Sequence, residues 1–215
     1  MITQNVKKIL SELPKDVTLV AATKSRTPEE ILEAIEAGIK IIGENYVQEA
    51  ESKFTAVGDK AKWHLIGHLQ SNKAKKAVRI FDCIETVDSA DLARAIDKEC
   101  AKINKVMEVM IEVNSGCEIQ KAGCLPQNVF ALAKTIQSFK SIRLVGLMTM
   151  GSVDGGEELR DQFKETKRIF DEIKRDTIGL CYLSMGMSSS YKMAIEEGAN
   201  MVRVGTLLFG ARAVK

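Results

Sequence analysis

Nowhere among the 215 residues do 18 apolar positions follow one another, so the sequence has no helical segment fit to span a membrane. The opening stretch, MITQNVKKILSELP, lacks the apolar core of a signal peptide and reads as a short amphipathic helix ended by Pro14, which points to a cytoplasmic protein. No long tract of Pro, Gly or Ser marks a linker. With 45% hydrophobic side chains, residues 1 to 215 are expected to fold as one domain around a substantial core. An excess of one charge is missing too: 31 Lys and Arg stand against 29 Asp and Glu, without the concentrated basic surplus of a nucleic-acid binder. The five cysteines, Cys83, Cys100, Cys117, Cys124 and Cys181, include no CxxC pair. That argues against a disulfide framework or a zinc knuckle and for reduced, structural thiols. Histidine is scarce: His64 and His68 have the four-residue spacing of a helical metal pair, but they fall on a strand and its following loop without an acidic third ligand. No metal site is expected there.

What the sequence does contain is alternation. Short runs rich in Val and Ile are followed by longer stretches of helical period, the pattern of parallel strands joined by crossover helices. The predicted strands are residues 17 to 23, 39 to 45, 62 to 67, 81 to 87, 106 to 114, 142 to 150, 180 to 186 and 200 to 205. Between the first two, PEEILEAIEAG has Thr27 as N-cap, Pro28 at the first helical position and Gly38 as a stop. The longest predicted helix, residues 156 to 175, carries the apolar stripe Leu159, Phe163, Ile169, Phe170 and Ile173. Eight strand-then-helix units without an internal boundary predict an α/β fold, a single (β/α)8 TIM barrel with an extra N-terminal helix. In that architecture functional groups gather at the C-terminal ends of the strands.

Lys24 directly follows the apolar run VTLVAAT, which sets its ammonium at the barrel mouth with its stem against low-dielectric walls. Desolvation lowers a lysine pKa and frees the amine to attack a carbonyl, as a Schiff-base lysine requires; an ordinary solvated lysine opening a loop is the alternative. The second strand ends in Gly43, Glu44 and Asn45, and the third brings His64, Gly67, Gln70 and Asn72, groups that can hold a ligand's hydroxyl or amide or simply cap helices. The last two units say most. LSMGMSSSYKMAIEEG sets Gly186, Ser188, Ser189 and Ser190 between a strand and a helix start, and NMVRVGTLLFG sets Arg203, Gly205 and Thr206 at the end of the eighth strand. The loops after strands seven and eight of a barrel recurrently bind phosphate through amides and hydroxyls, with helix capping and a tight turn as the alternatives. Arg203 is costly inside a barrel mouth unless a partner is present, either a glutamate or a ligand's acceptor nitrogen.

Together the motifs VAATK (20 to 24), GENYVQEA (43 to 50), WHLIGHLQSNK (63 to 73), GLMTM (146 to 150), LSMGMS (183 to 188) and MVRVGTLLFGAR (201 to 212) span nearly the whole chain in order. In them the sequence closely resembles the pyridoxal phosphate homeostasis proteins, a family similar to the N-terminal barrel of alanine racemase. The resemblance implies pyridoxal 5′-phosphate as cofactor, held by Lys24 as an internal aldimine. It further implies phosphate contacts from Ser188, Gly205 and Thr206, Arg203 facing the pyridine nitrogen, Asn45 and His64 around the ring, and Met185 packed near the cofactor. The sequence departs from many relatives at Ser189 and Ser190, where an aspartate is common, which puts any acidic role of that loop in doubt; at His68 the residue type varies.

A cationic arginine disfavours the pyridine proton that makes the ring a strong electron sink. Racemases of similar fold work with such an arginine, but they draw a second acid/base residue from another domain or subunit, for which this length leaves no room. The resemblance therefore implies a non-enzymatic, monomeric carrier that binds the cofactor reversibly and releases it to apo forms of pyridoxal phosphate-dependent enzymes. The main alternative is a small amino-acid racemase or decarboxylase using Lys24 on one face and Tyr46 or Cys117 on the other. A cofactor-free barrel aldolase fits less well, because Lys24 has no clear acid/base partner among the strand ends. The sequence assigns no role in cofactor passage to Lys73 or Lys121.

Overall fold

The structure is a computed structural model that describes residues 1–118, 120–152 and 155–211. Arg212, which ends the motif of residues 201 to 212, lies outside the described residues, as does the rest of the C-terminus.

Eight strands pair in parallel and in chain order: β1 (Thr18–Ala22), β2 (Ile41–Glu44), β3 (Lys62–Leu65), β4 (Cys83–Val87), β5 (Met107–Glu112), β6 (Ile142–Met148), β7 (Tyr182–Ser184) and β8 (Met201–Val204). β8 returns to β1, with Val20 opposite Arg203, and closes the barrel. Helix α1 (Ile2–Glu12) precedes β1. The helices α2 (Pro28–Glu36), α3 (Val47–Val57), α4 (Ala74–Ile80), α5 (Ala90–Ala101), α6 (Val129–Gln137), α7 (Gly156–Lys174) and α8 (Tyr191–Glu196) follow β1 to β7 in turn, and the short α9 (Thr206–Phe209) follows β8. Among the described residues no helix is long and apolar enough to cross a membrane. The predicted (β/α)8 barrel with its leading helix is therefore what the chain forms, and every strand lies inside its predicted range. The strands are shorter than the apolar runs because pairing extends only where neighbours in the ring overlap; β7 meets β8 at a single register position, Ser184 opposite Met201.

Local chemistry explains the entry into α2. Thr27 accepts from the Glu30 N–H while the Glu30 side chain accepts from the Thr27 N–H, a reciprocal cap worth about 1 kcal/mol, and Pro28 begins the helix. In α7 the stripe Leu159, Phe163, Ile169, Phe170 and Ile173 is buried against the barrel.

Side chains alternate across the barrel wall. One set, including Leu19, Ile42, Trp63, Leu65, Ile84, Val109, Leu147, Leu183 and Val202, packs with the surrounding helices in the main core. The other forms a separate inner cluster of Val20, Ile41, Ile66, Cys83, Met110, Val145, Met148 and Met201, with Tyr182 against it. Fully burying one such aliphatic chain is worth about 1.5–3 kcal/mol, so the two layers together hold the ring shut. Two residues further along the strands the inward positions turn polar: Glu85 after Cys83, Glu112 after Met110, Ser184 after Tyr182, Arg203 after Met201. Toward their C-terminal ends the strands thus line the mouth with hydrogen-bonding groups.

Candidate functional site

The polar inward residues are connected. His64 Nδ1 lies 2.7 Å from Glu85 Oε1, the Ser184 hydroxyl donates to Glu85 Oε2 at 2.7 Å, and Arg203 donates to Ser184 Oγ and to the Thr149 carbonyl, both at 2.8 Å. Arg203 is only 2% exposed. Burial raises the Glu85 carboxyl, but the hydrogen bond and charge of His64, with Arg203 and Ser184, outweigh it and hold the group below its ordinary value. Burial lowers Arg203, against the attraction of Glu85 and Glu112. The guanidinium is therefore partnered by a glutamate at one remove, through a serine hydroxyl, and still borders the open mouth.

A cavity of about 590 Å³ opens there, lined by Lys24 after β1, Asn45 after β2, Ile66 after β3, Met150 after β6, Met187, Ser188 and Ser189 after β7, and Arg203, Gly205 and Thr206 at the end of β8. Lys24 is the one amine in that lining. Its Nζ donates to the Tyr46 hydroxyl at 3.4 Å, lies 4.9 Å from the centre of that ring, and enters no ion pair among the described residues. The backbone on either side of Lys24 is pinned from below. Buried Lys53 donates to the Thr23 carbonyl at 2.9 Å, to Glu44 at 2.7 Å and to Glu49 at 2.8 Å, and the Glu49 carboxylate accepts from the Ser25 N–H. Across the barrel seam the Gly205 N–H donates to Ser188 Oγ at 3.2 Å. A Cβ on Gly205 would stand 3.1 Å from the Ala22 carbonyl oxygen, so the close approach of β8 to β1 disfavours a side chain.

Of the residues singled out in the sequence, Lys24, Asn45, Ser188, Arg203, Gly205 and Thr206 share this cavity. His64 does not line it; buried on β3, it reaches Arg203 only through Glu85 and Ser184. Met185 is a correction: it is fully buried in the core between barrel and helices, because alternation after Ser184 turns it outward, and Met150 and Met187 are the methionines at the cavity. Glu44 is a second correction, since it faces Lys53 behind the wall and not the rim. Gln70 and Asn72 are exposed, Gln70 bordering a separate cleft with His68 and Lys73. His68 pairs loosely with Asp88 at 3.6 Å, and among the described residues no cluster of three His, Cys, Asp or Glu is arranged to hold a metal ion. Cys117 is exposed and Lys121 is bonded to Glu118 and to the Gly151 carbonyl. Sequence reading missed Glu85, Glu112 and Lys53. The first two carried a signal, each lying two positions beyond an interior residue of an apolar strand.

The family described as alanine racemase, N-terminal domain, matches residues 1–213. The solved alanine racemase of Clostridium difficile has the same barrel, with a TM-score of 0.84 over the whole of this chain and 56% of its own length, at 15% identity. Closer in sequence are proteins of one particular kind. The pyridoxal phosphate homeostasis protein of Aquifex aeolicus is 41% identical over 197 residues, 90% of this chain and 86% of its own. That of Schizosaccharomyces pombe is 39% identical over 203 residues, 92% and 85% respectively. PipY of Synechococcus elongatus, solved with pyridoxal phosphate bound, superposes with a TM-score of 0.89 at 34% identity, covering 98% of this chain and 100% of that one. The chain belongs to the pyridoxal phosphate homeostasis protein family.

Proposed function

We propose that this barrel holds pyridoxal 5′-phosphate as a Schiff base on Lys24 and releases it to other proteins, without turning over an amino acid itself. The observation that carries the reading is a single amine, free of any ion pair among the described residues, in a cavity that also presents the Ser188 and Thr206 hydroxyls and Arg203. The bound cofactor in PipY, a relative with the same fold, supports it. Ser188, Gly205 and Thr206 would take the phosphate, Arg203 would face the ring nitrogen, Asn45 would border the ring, and Met150 and Met187 would supply apolar contact. His64 acts at a distance, by holding Glu85 and so the Ser184 hydroxyl on which Arg203 rests.

When bound, the cofactor supplies a reactive aldehyde and an electron-withdrawing ring. Arg203 beside the ring nitrogen would disfavour its protonation and leave the ring a weak electron sink, which suits a holder. The cavity lining carries no carboxylic acid, thiol or phenol. Of the acids proposed for turnover, Cys117 lies outside the lining and Tyr46 stands beside Lys24 instead of across from it. The protein would act as a monomer in the cytoplasm, whose reducing conditions suit five cysteines that are all free.

The test is the visible spectrum of the purified chain with added cofactor, followed by borohydride reduction and peptide mapping, for wild type and Lys24→Ala. Label confined to Lys24 and lost in the variant is expected; label spread over surface lysines overturns the assignment. Exchange of the α-proton of amino acids faster than with free cofactor would replace the carrier by an enzyme. Failure of the loaded protein to activate an apo-enzyme faster than its own dilution releases cofactor would remove the hand-over.

A further inference from the structure

Beside the Lys24 cavity, and sharing Met150 and Met187 with it, lies a second cavity of about 240 Å³ over the ends of β5 and β6. Most polar groups around it are already engaged. The Asn114 amide donates to the Glu118 and Lys121 carbonyls and accepts from the Glu118 N–H. The Thr149 hydroxyl donates to the Val113 carbonyl and meets Ser115, Gln162 accepts from the Ser152 N–H, and Lys121 is tied to Glu118. Glu112 is the exception. It lines the cavity, its side chain comes from the inward face of β5 at 7% exposure, and its Oε2 has no hydrogen-bond partner among the described residues. A buried acceptor left without a donor destabilises a fold, so the carboxyl is an unmet demand for a donor.

The surrounding charge says what kind of donor. Arg203 on β8 is shared between Glu112 and Glu85 on β4, and Glu85 is also bonded to His64 on β3. Asp88, after β4, adds negative charge, while Glu118 and Lys121, after β5, cancel one another. Glu85 is thus met by His64, Ser184 and Arg203, whereas Glu112 has only its share of the Arg203 charge.

We propose that this second cavity binds a primary ammonium group on a short carbon chain, with the Glu112 carboxylate as its acceptor. A free amino acid and the end of a protein lysine both present that group. Next to Lys24, the site would seat an amine that competes with Lys24 for the cofactor; that meaning rests on the proposed function, whereas the binding does not and is tested without cofactor. Burial pushes Glu112 up to about 7, with Arg203 opposing and Asp88 adding to the rise. An ammonium needs the ionised carboxylate, and an aliphatic amine stays protonated up to about pH 10, so binding strengthens as pH rises through 7.

The experiment titrates the full chain, stripped of cofactor, with n-butylamine and with L-alanine by calorimetry near pH 8 and near pH 6, for wild type and Glu112→Gln. Saturable binding of at least one probe is expected, roughly tenfold weaker near pH 6 because the ionised fraction of a group with a pKa of about 7 falls that far. Glu112→Gln is expected to bind at least about tenfold more weakly, since a charge-assisted hydrogen bond is lost. Preference for n-butylamine identifies a lysine side chain as the ligand, and preference for L-alanine a free amino acid. No saturable binding of either probe, equal binding by the variant, or binding indifferent to pH overturns the site. Glu112→Leu, which also removes the charge, provides the same comparison if the glutamine variant misfolds. Borohydride mapping on Lys24 decides the cofactor assignment separately, so the two ideas fail independently.

Discussion

Replacing Lys53 by methionine removes one partner of a buried ion pair and leaves the other in place. Lys53 Nζ is held by three oxygens, the Thr23 carbonyl, Glu44 and Glu49, and its side chain is nearly as buried as that of Glu44. Glu44 would keep only the Thr23 hydroxyl, now 2.6 Å from Oε1, while its Oε2 already lacks a partner among the described residues. Breaking a buried pair in this way costs about 3–5 kcal/mol, because the remaining charge stays desolvated. With a urea dependence of roughly 3 kcal/mol per M for a chain of this size, the midpoint should fall by about 1 to 1.7 M near pH 8. Burial raises the Glu44 carboxyl even with Lys53 beside it. Losing the lysine raises it further, so the folded variant binds a proton more tightly than the unfolded one. Its deficit must shrink as pH falls through that raised value. The double variant Lys53→Met with Glu44→Leu removes both charges and should recover most of the loss. A single variant within about 1 kcal/mol of wild type, or a double variant no better than the single, would refute the reasoning. A functional consequence accompanies it. Because Lys53 fixes Thr23, and through Glu49 also Ser25, hydrogen exchange at the Ser25 amide should quicken in Lys53→Met before the barrel as a whole loosens.

Two further predictions concern the mouth. Glu112, raised from 4.5 to about 7, takes up a proton on folding; its contribution is therefore fully present below about pH 4.5 and is lost as pH rises through 7. The gap corresponds to about 3 kcal/mol, and the wild-type minus Glu112→Gln difference in urea stability should decline across that window; a flat difference would count against the burial of an unpaired carboxyl. Thr206→Val keeps the shape and removes a hydroxyl from the cavity. Affinity for pyridoxal phosphate should drop about 10- to 100-fold while affinity for unphosphorylated pyridoxal stays the same, as measured by absorbance titration; an equal loss for both would take Thr206 away from the phosphate.

The barrel was legible in the sequence because its signal is redundant: eight apolar runs, a capping box at Thr27 and the stripe of α7 all point to the same architecture. The cavity was legible where a residue's position along a strand decides its direction, as with Lys24, Arg203 and Gly205. Reading failed where direction depends on one step of the alternation. Glu44 stands next to an inward position and is expected at the rim, yet it turns outward; Met185, expected near the cofactor from the resemblance alone, turns outward in the same way. Lys53 could not be found by pattern, since a lysine on an amphipathic helix normally reaches water and only the pocket behind β2, with two carboxylates in it, holds this one inside.

That burial bears on why Lys24 is available. The two lysines differ in what their ammonium groups meet. Lys53 finds two carboxylates and a carbonyl, whereas Lys24 finds a phenol hydroxyl and the face of an aromatic ring. The Glu49 carboxylate sits at the Ser25 N–H, one residue from Lys24, where an uncommitted acid would compete to trap the Lys24 ammonium. Lys53 and the Ser25 amide already engage it, and Lys53 with the Thr23 hydroxyl engages Glu44. An ion pair favours the protonated amine and so opposes attack on a carbonyl. By neutralising the nearby acids, the buried lysine leaves the cavity lysine a weak partner in Tyr46, one that an incoming aldehyde could displace.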